Sequence, residues 1–399
     1  MGQSLNFNLI LISRRSVVAF LVFLGAATNL CATGPTMSHS TPWPESAFEF
    51  RPGVIVGADR CTAYLMNTQG GIDAVDLSSG ESIWTTSRAA KPLLLHGDLL
   101  IAQAAEAPGR SGVFRIVGLN TTAKGEPVFE ADVELPEGVS AFVSDGPGIT
   151  FRASARISEV DLIVSWLFSE QPISGAYIEA DATAFRQVTG TARIDLDTGR
   201  VEPLGSDETP SLNGPQLPDN LARLVESGSL PGRLWRLDNV LISPALITDD
   251  DGERILLKRW NGETGEALPE ISIRSNGLTV RYPSADYRHL LTSKLVETSP
   301  RVWEKYLWVI FSLETGVRVA EVRNFEPGAW FFISGSSLIQ EVQPQGRLVD
   351  GVGVEEPRKL RAIDLASGAE RWNRPIRDTA YRGSYPPLIP DSQGTPVPR

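Results

Sequence analysis

The sequence predicts an all-β chain made of six or seven repeated units of four strands each. Three observations predict it. The phrase "GGIDAVDLSSGESIWTT" at residues 70–86 returns near the other end of the chain as "KLRAIDLASGAERWNRP" at 359–375. Weaker copies of the same phrase lie between them. The chain also holds 36 Gly and 28 Pro, a turn-rich balance that favours many short strands over long helices.

Each copy is anchored on a glycine: Gly80, Gly125, Gly199, Gly265, Gly316 and Gly368, at intervals of 45, 74, 66, 51 and 52 residues. An apolar strand precedes the anchor, as in Ile72-Asp73-Ala74-Val75 and Leu360-Arg361-Ala362-Ile363. Four residues before the glycine stands a short polar side chain: Asp76, Asp195, Asn261, Ser312 or Asp364, and in the Gly125 copy Thr121 with Asn120 just before it. Its oxygen can accept a hydrogen bond from a backbone N–H two residues on, which tightens the turn. The glycine supplies positive φ without steric cost. Four residues past the anchor come Trp84, Phe129, Pro203, Pro269, Ala320 and Trp372. The two tryptophans suit packing between neighbouring sheets.

Further apolar runs precede several copies, among them "DLLIAQ" at 98–103, "VDLIVSWLF" at 160–168, "NVLISPALI" at 239–247 and "SSLIQEV" at 336–342. "KPLLLHG" at 91–97 and "AWFFISG" at 329–335 add a first strand to their units. Three to four strands in a unit of this length match one blade of a β-propeller. A lone blade cannot bury both faces, whereas a ring of blades can. The expected fold is therefore a β-propeller of six to seven four-stranded blades, closed by strands from the two chain termini. Residues near 386–391 are expected to pair beside the unit of Gly80, and the Pro-rich tail 393–399 to be disordered. The long interval before Gly199 reads as one blade with long hairpins, with a hidden seventh blade as the rival reading. "SDETPSLNGPQLPDNLARLVESGS" at 206–229 reads as an insertion, with a short helix over "PDNLARLVESG".

The strand, Asp-Leu, small residue, Ser, Gly and Trp of this phrase resemble the quinoprotein-like, or PQQ-like, β-propeller repeat. The likeness is closest in "AYLMNTQGGIDAVDLSSGESIW" at 63–84 and "LRAIDLASGAERW" at 360–372, and extends over the propeller expected at 52–392. The family includes quinone-dependent dehydrogenases, outer-membrane assembly lipoproteins and binding proteins. Its dehydrogenases are much longer and carry adjacent cysteines beside a calcium-binding acid set. This chain holds two cysteines, Cys31 and Cys61, which are not adjacent. The family name therefore implies no quinone cofactor here.

Residues 1–32 read as a signal peptide: Arg14-Arg15, then the apolar run Val17–Leu24, then small residues. The run is short of the ~20 residues of a membrane span, and an uncleaved anchor is the alternative. "SRRSVVAFL" is a weak match to a twin-arginine signal, and Cys31 stands where a lipidated cysteine could, although Leu30 before it is not small. Residues 33–51 read as a linker. The formal charge is −11 over 399 residues, with no basic face to suggest nucleic-acid binding.

Little chemistry stands out. Of the three histidines, His39 lies in the expected linker, and a metal site shared by His96 and His289 is the minor alternative to no site, since neither has a second ligand at metal-site spacing. A Ser-His-Asp set would have no G-x-S-x-G elbow to support it, and "SGSS" at 334–337 is an ordinary turn. "TDDDGERI" at 248–255 reads as a hairpin turn at Asp251-Gly252, with a cation site as the rival reading. Asn120-Thr121-Thr122 fits a glycosylation acceptor. Cys61 reads as a small buried hydrophobe on a strand. Trp43, Trp303, Trp308, Trp330 and Phe331-Phe332 could form a sugar- or peptide-binding rim, or fill the space between blades. No catalytic, cofactor-binding or metal-binding residue is assigned. The function expected is a monomeric, non-catalytic scaffold, exported to the periplasm or beyond, that binds a protein partner in the cell envelope. The alternatives are an enzyme with its site at the channel mouth and an oligosaccharide binder.

Overall fold

The computed structural model describes residues 47–105, 112–142, 149–158, 160–170, 186–196, 198–205, 234–237, 240–250, 252–299, 302–349, 352–377, 388–390 and 396–398. Contacts divide the chain into residues 1–42 and 43–399, and all the described residues fall in the second unit. The expected leader, His39, Trp43 and the helix expected at 218–228 lie outside the described residues.

Every element among the described residues is a β-strand. They form six antiparallel sheets of four or five strands and two small hairpins. The first sheet is β1 (Phe48–Arg51), β2 (Val54–Val56), β3 (Thr62–Met66), β4 (Ile72–Asp76) and β5 (Ser82–Thr86). The second is β6 (Ala89–His96), β7 (Leu99–Ala104), β8 (Val113–Asn120) and β9 (Glu126–Glu134). The third is β10 (Ile149–Ser158), β11 (Asp161–Glu170), β12 (Arg186–Asp195) and β13 (Val201–Leu204). The fourth is β14 (Trp235–Leu237), β15 (Val240–Asp249), β16 (Gly252–Asn261) and β17 (Ala267–Arg274). The fifth is β18 (Thr279–Pro283), β19 (His289–Ser299), β20 (Val302–Ser312) and β21 (Arg318–Asn324). The sixth is β22 (Phe331–Ser334), β23 (Ser337–Val342), β26 (Lys359–Asp364) and β27 (Glu370–Pro375), with the hairpin β24 (Gln345–Val349) and β25 (Val352–Glu356) inserted after β23. A last hairpin joins β28 (Leu388–Pro390) to β29 (Pro396–Pro398).

Burial follows strand position. The inner strands of a sheet are buried on both faces, as in β4 (IDAVD) and β23 (SLIQEV), because neighbouring sheets cover both sides. The last strands alternate: in β21, Ala320, Val322 and Asn324 are buried and the residues between them are exposed. One core joins the first and second sheets through Tyr64, Ile72 and Trp84 with Leu100 and Val117. Others join the second to the third, the fourth to the fifth and the fifth to the sixth. A further core joins the sixth back to the first, where Phe332, Ile339, Leu360 and Ile376 pack with Phe50, Val54 and Leu65.

The six anchor glycines all close the turn into the last strand of their sheet, with φ between 68° and 76°. In five turns the glycine N–H donates to the carbonyl four residues back, such as Gly80 to Asp76 at 2.7 Å and Gly368 to Asp364 at 2.8 Å. The side-chain cap is present as expected: Asp76 Oδ1 accepts from the N–H groups of Ser78 and Ser79, and Asp364 Oδ1 from those of Ala366 and Ser367. The Gly125 turn is one residue longer. There Asn120, not Thr121, caps the N–H groups of Thr122 and Ala123, and Lys124 joins Gly125 at positive φ.

The interval before Gly199 holds one sheet among the described residues, and not the rival seventh. Three expectations are corrected. The stretch 33–51, expected as a linker, supplies β1, because its Phe48 and Phe50 have an apolar surface to bury. The C-terminal strand β28 pairs with β29 and not beside the Gly80 sheet, and β29 lies in the tail expected to be disordered. A hairpin across five residues closes at far less entropic cost than a pairing with a strand some 300 residues away. Cys61 is half-buried in the turn before β3, where its N–H donates to Asp59 Oδ1 at 2.9 Å, and is not on a strand.

Candidate functional site: a charged cleft along the first strand

β1 reads Phe-Glu-Phe-Arg, and alternation sends its two phenylalanines to one face. Phe48 and Phe50 meet the ring of Phe332 on the sixth sheet edge-on, at 5.4 and 5.2 Å between centroids. Such pairs contribute about 0.5–1.5 kcal/mol beyond the area they bury. The strand is thereby held to the last sheet while hydrogen-bonded to β2 of the first.

Two ion-pair clusters sit at the ends of β1. At one end the Arg51 guanidinium donates to the carboxylate of Glu341, at the end of β23. Arg358, just before β26, donates to the same oxygen, and Gln343 Nε2 donates to the other at 3.3 Å. At the far end Arg60, in the turn between β2 and β3, lies 5.5 Å from the Phe48 ring centre and donates to Asp286 in the turn between β18 and β19. Asp286 also accepts from Ser284 Oγ at 2.5 Å. Ser334 Oγ donates to the Arg60 carbonyl at 2.5 Å, and the Ala285 N–H to the Phe331 carbonyl at 2.8 Å. The first, fifth and sixth sheets meet here.

These groups enclose a cleft of about 510 Å³, to which Tyr287 and Trp330 add exposed aromatic walls. Across β1 lies a second cleft of about 570 Å³, which shares Glu49 and Pro52 with the first and is lined by Lys91, Arg152, Trp166 and Gln187. Glu49 touches water in both, yet desolvation by its surroundings raises its carboxyl above the ordinary range, against the opposing pull of Lys91.

Chemically the first cleft is suited to holding charge and poorly suited to moving protons. Asp286 and Glu341 are both committed to guanidinium groups, which keeps them from acting as general bases. Ser284, Asp286 and His289 do meet in one turn. The Ser284 hydroxyl donates directly to Asp286 and accepts from the His289 backbone N–H at 2.9 Å, so the imidazole is not between them. Burial holds the His289 ring below its usual pKa, with Asp286 opposing and Arg60 and Arg288 reinforcing the shift.

The other residues singled out in the sequence scatter. His96 ends β6 in the second sheet and His289 begins β19 in the fifth. Asp249 and Gly252 close the β15–β16 hairpin, with Arg254 bound to Asp249. Trp308, Phe331 and Phe332 are core residues. The Trp303 side chain lies outside the described residues, and among the described side chains of that set only Trp330 lines the cleft. Sequence reading missed Arg51, Arg60, Glu341 and Arg358. The available signals were slight: a charged alternation just before Pro52, and Gln340-Glu341 at the end of an otherwise apolar strand.

Fold and site together define an all-β protein of six antiparallel sheets with an arginine-rich cleft beside its first strand. No family model matches the chain, and no curated protein matches it. Among solved structures it is similar to an uncharacterized protein from Listeria monocytogenes EGD-e, at 10% identity over 84% of each chain with a TM-score of 0.25. A europium-containing methanol dehydrogenase matches at 11% identity over 79% of this chain and 67% of that one, with a TM-score of 0.22. A member of the DUF4221 family from Bacteroides vulgatus matches at 12% identity over 74% and 85%, with a TM-score of 0.24. Scores this low carry no argument about fold or function.

Proposed function

We propose that the six sheets are the blades of one PQQ-like β-propeller, and that the protein is an exported, non-catalytic scaffold that binds a protein partner through the cleft along β1. The observation that carries this reading is the state of the cleft's acids. Both buried carboxylates are neutralised by arginines, while Trp330 and Tyr287 stand exposed beside them. Exposed aromatics and arginines are the residue types that anchor partners. Six consecutive sheets with a shared core between last and first support the ring. The Arg14-Arg15 and Val17–Leu24 leader supports export. Quinone catalysis is not part of the proposal, since the adjacent cysteine pair of the quinoprotein dehydrogenases is missing.

The test is affinity purification of the tagged protein from its own envelope fraction, beside a Trp330→Ala variant. A partner recovered by the natural protein and lost by the variant supports the reading. A partner held equally by both places binding elsewhere. The mass of the purified protein tests the leader: a full-length mass means that residues 1–32 are retained as an anchor.

A further inference from the structure

The third sheet carries one polar face. Burial along β11 alternates from Val164 to Ser169, with Val164, Trp166 and Phe168 buried and Ser165, Leu167 and Ser169 only half-buried. The buried set joins Phe151 of β10 and Ala192 of β12 in the core shared with the second sheet. The other set belongs to the opposite face. Register places Arg152, Leu167 and Thr189 in one row of that face, with Ser154 and Ser165 paired in the next row. Gln187 stands opposite Ser169 in the row on the other side.

This face forms one wall of the second cleft, whose other walls include Glu49 of β1, Pro52 just after it and Lys91 of β6. Its volume of about 570 Å³ is that of a small-molecule site. Ser165 and Thr191 share a hydroxyl contact at 3.3 Å. Among the described residues, the side chains of Arg152, Ser154, Gln187 and Thr189 make no hydrogen bond to the protein, and all four residues are exposed. Lys91 is only 6% exposed. The charges that face solvent in the cleft are therefore one acid, Glu49, and one base, Arg152. A charged ligand of either sign would meet a like charge here. A hydroxyl group both donates and accepts, so it can pair with the carboxylate, the guanidinium, the amide and the hydroxyls alike. Pro52 and Leu167 add apolar surface beside them.

We propose that the second cleft is a binding site for a neutral carbohydrate of about two sugar rings. A sugar ring matches the walls on both counts. Its hydroxyls fit the mixed donors and acceptors, and its C–H surface fits Pro52 and Leu167. Glu49 can accept from two adjacent hydroxyls, while Arg152 and Gln187 are planar groups that can donate to neighbouring ring oxygens. A polypeptide main chain also donates and accepts, but it is read by the free edge of a strand. The groups here are side chains that stand on the face of one sheet and converge with side chains from two others. The site is separate from the docking cleft, which Trp330 and Tyr287 line, and neither reading depends on the other.

The experiment titrates the full chain by calorimetry at neutral pH with maltose, cellobiose and diacetylchitobiose. Two charged disaccharides, one ending in glucuronate and one in glucosamine, are measured beside them. At least one neutral disaccharide is expected to bind about tenfold tighter than both charged ones. The double variant Gln187→Leu, Thr189→Val is expected to weaken that binding about tenfold at an unchanged melting temperature, since both residues are exposed. Arg152→Ala, at another exposed position of the same face, should act in the same direction. Binding that neither variant weakens overturns the site. Equal or tighter binding of a charged disaccharide overturns the neutral chemistry. Binding of end-blocked triglycine in place of the disaccharides means a peptide occupant and overturns the carbohydrate. No binding of any disaccharide overturns the proposal.

Discussion

The ring of Trp372, in the sixth sheet, occupies the space that a side chain on Gly80, in the first sheet, would need. A Cβ on Gly80 would lie 2.6 Å from Trp372 Cγ. The Trp372 indole N–H donates to the carbonyl of Leu77 at 3.1 Å, and Arg374 donates to that of Gly80 at 2.9 Å. Trp84 stands in the same relation to the second sheet, 2.7 Å from where a Cβ on Gly125 would be. In both cases the aromatic four residues past one turn glycine covers the turn of the next sheet. The phrase that occurs twice in the sequence is therefore the phrase that packs against itself across the meeting of the chain's two ends.

Gly80→Ala and Gly368→Ala separate backbone strain from this contact. Both glycines have left-handed φ, 76° and 71°, so each substitution carries a strain of about 1–2 kcal/mol. A Cβ on Gly368 meets nothing within 4 Å, whereas one on Gly80 drives into the Trp372 ring. Chemical denaturation is expected to show Gly80→Ala as the costlier by a further ~1–3 kcal/mol. Equal costs would mean that Trp372 does not cover the turn in solution.

Trp84→Ala is expected to destabilise by about 3–5 kcal/mol, since Trp84 is buried between the first two sheets. Trp372 is only half-buried, so Trp372→Ala should cost less. The same denaturation measurement ranks them, and the reverse order would contradict the packing described.

Removal of residues 386–399 should leave the melting temperature almost unchanged, because β28 and β29 pair with each other. Phe50→Ala should lower it strongly, with a loss of about 3–5 kcal/mol, because the N-terminal strand is what bridges the first and last sheets. A large drop on truncation would show that the C-terminal segment closes the structure after all.

Glu341→Gln leaves Arg51 and Arg358 side by side without the carboxylate they share. Loss of one partner from so buried a cluster costs about 3–5 kcal/mol. Glu370→Gln touches the loose pair with Arg361 at 3.9 Å and the exposed hydrogen bond that Glu370 accepts from Asn373, where about 0–1 kcal/mol is expected. Thermal melts of the two variants should differ accordingly, and similar melts would show the Glu341 cluster to be solvated.

His289 should make stability depend on pH in mild acid. Burial depresses its pKa in the folded chain, so the unfolded chain takes up the proton first, near the ordinary value of about 6.5. The contribution is complete above that value and declines as pH falls toward the folded pKa. His289→Asn should flatten the stability profile between roughly pH 5 and 7. An unchanged slope would assign it to other groups, with Asp286, Arg60 and Arg288 the charges facing the ring.

The six turns were legible in the sequence because their determinants are local. An oxygen-bearing side chain and a glycine within five residues set the hydrogen bonds of each turn whatever the rest of the chain does. The strands before them were legible for the same reason, as runs whose apolar period matches a sheet buried on both faces. Even so, the extra residue at Gly125 moved the cap from Thr121 to Asn120, a choice between neighbours that the phrase left open. Which sheets touch was decided only by the tertiary structure. Arg51 and Glu341 lie 290 residues apart, and Arg60 and Asp286 lie 226 apart. No local pattern pairs such residues, since their meeting depends on the order and curvature of six sheets together. The same holds for β1. Its alternation allowed a strand, but only the ring of Phe332 on the last sheet gave Phe48 and Phe50 an apolar surface to pack against, and burial of apolar surface is what turns an allowed strand into a formed one.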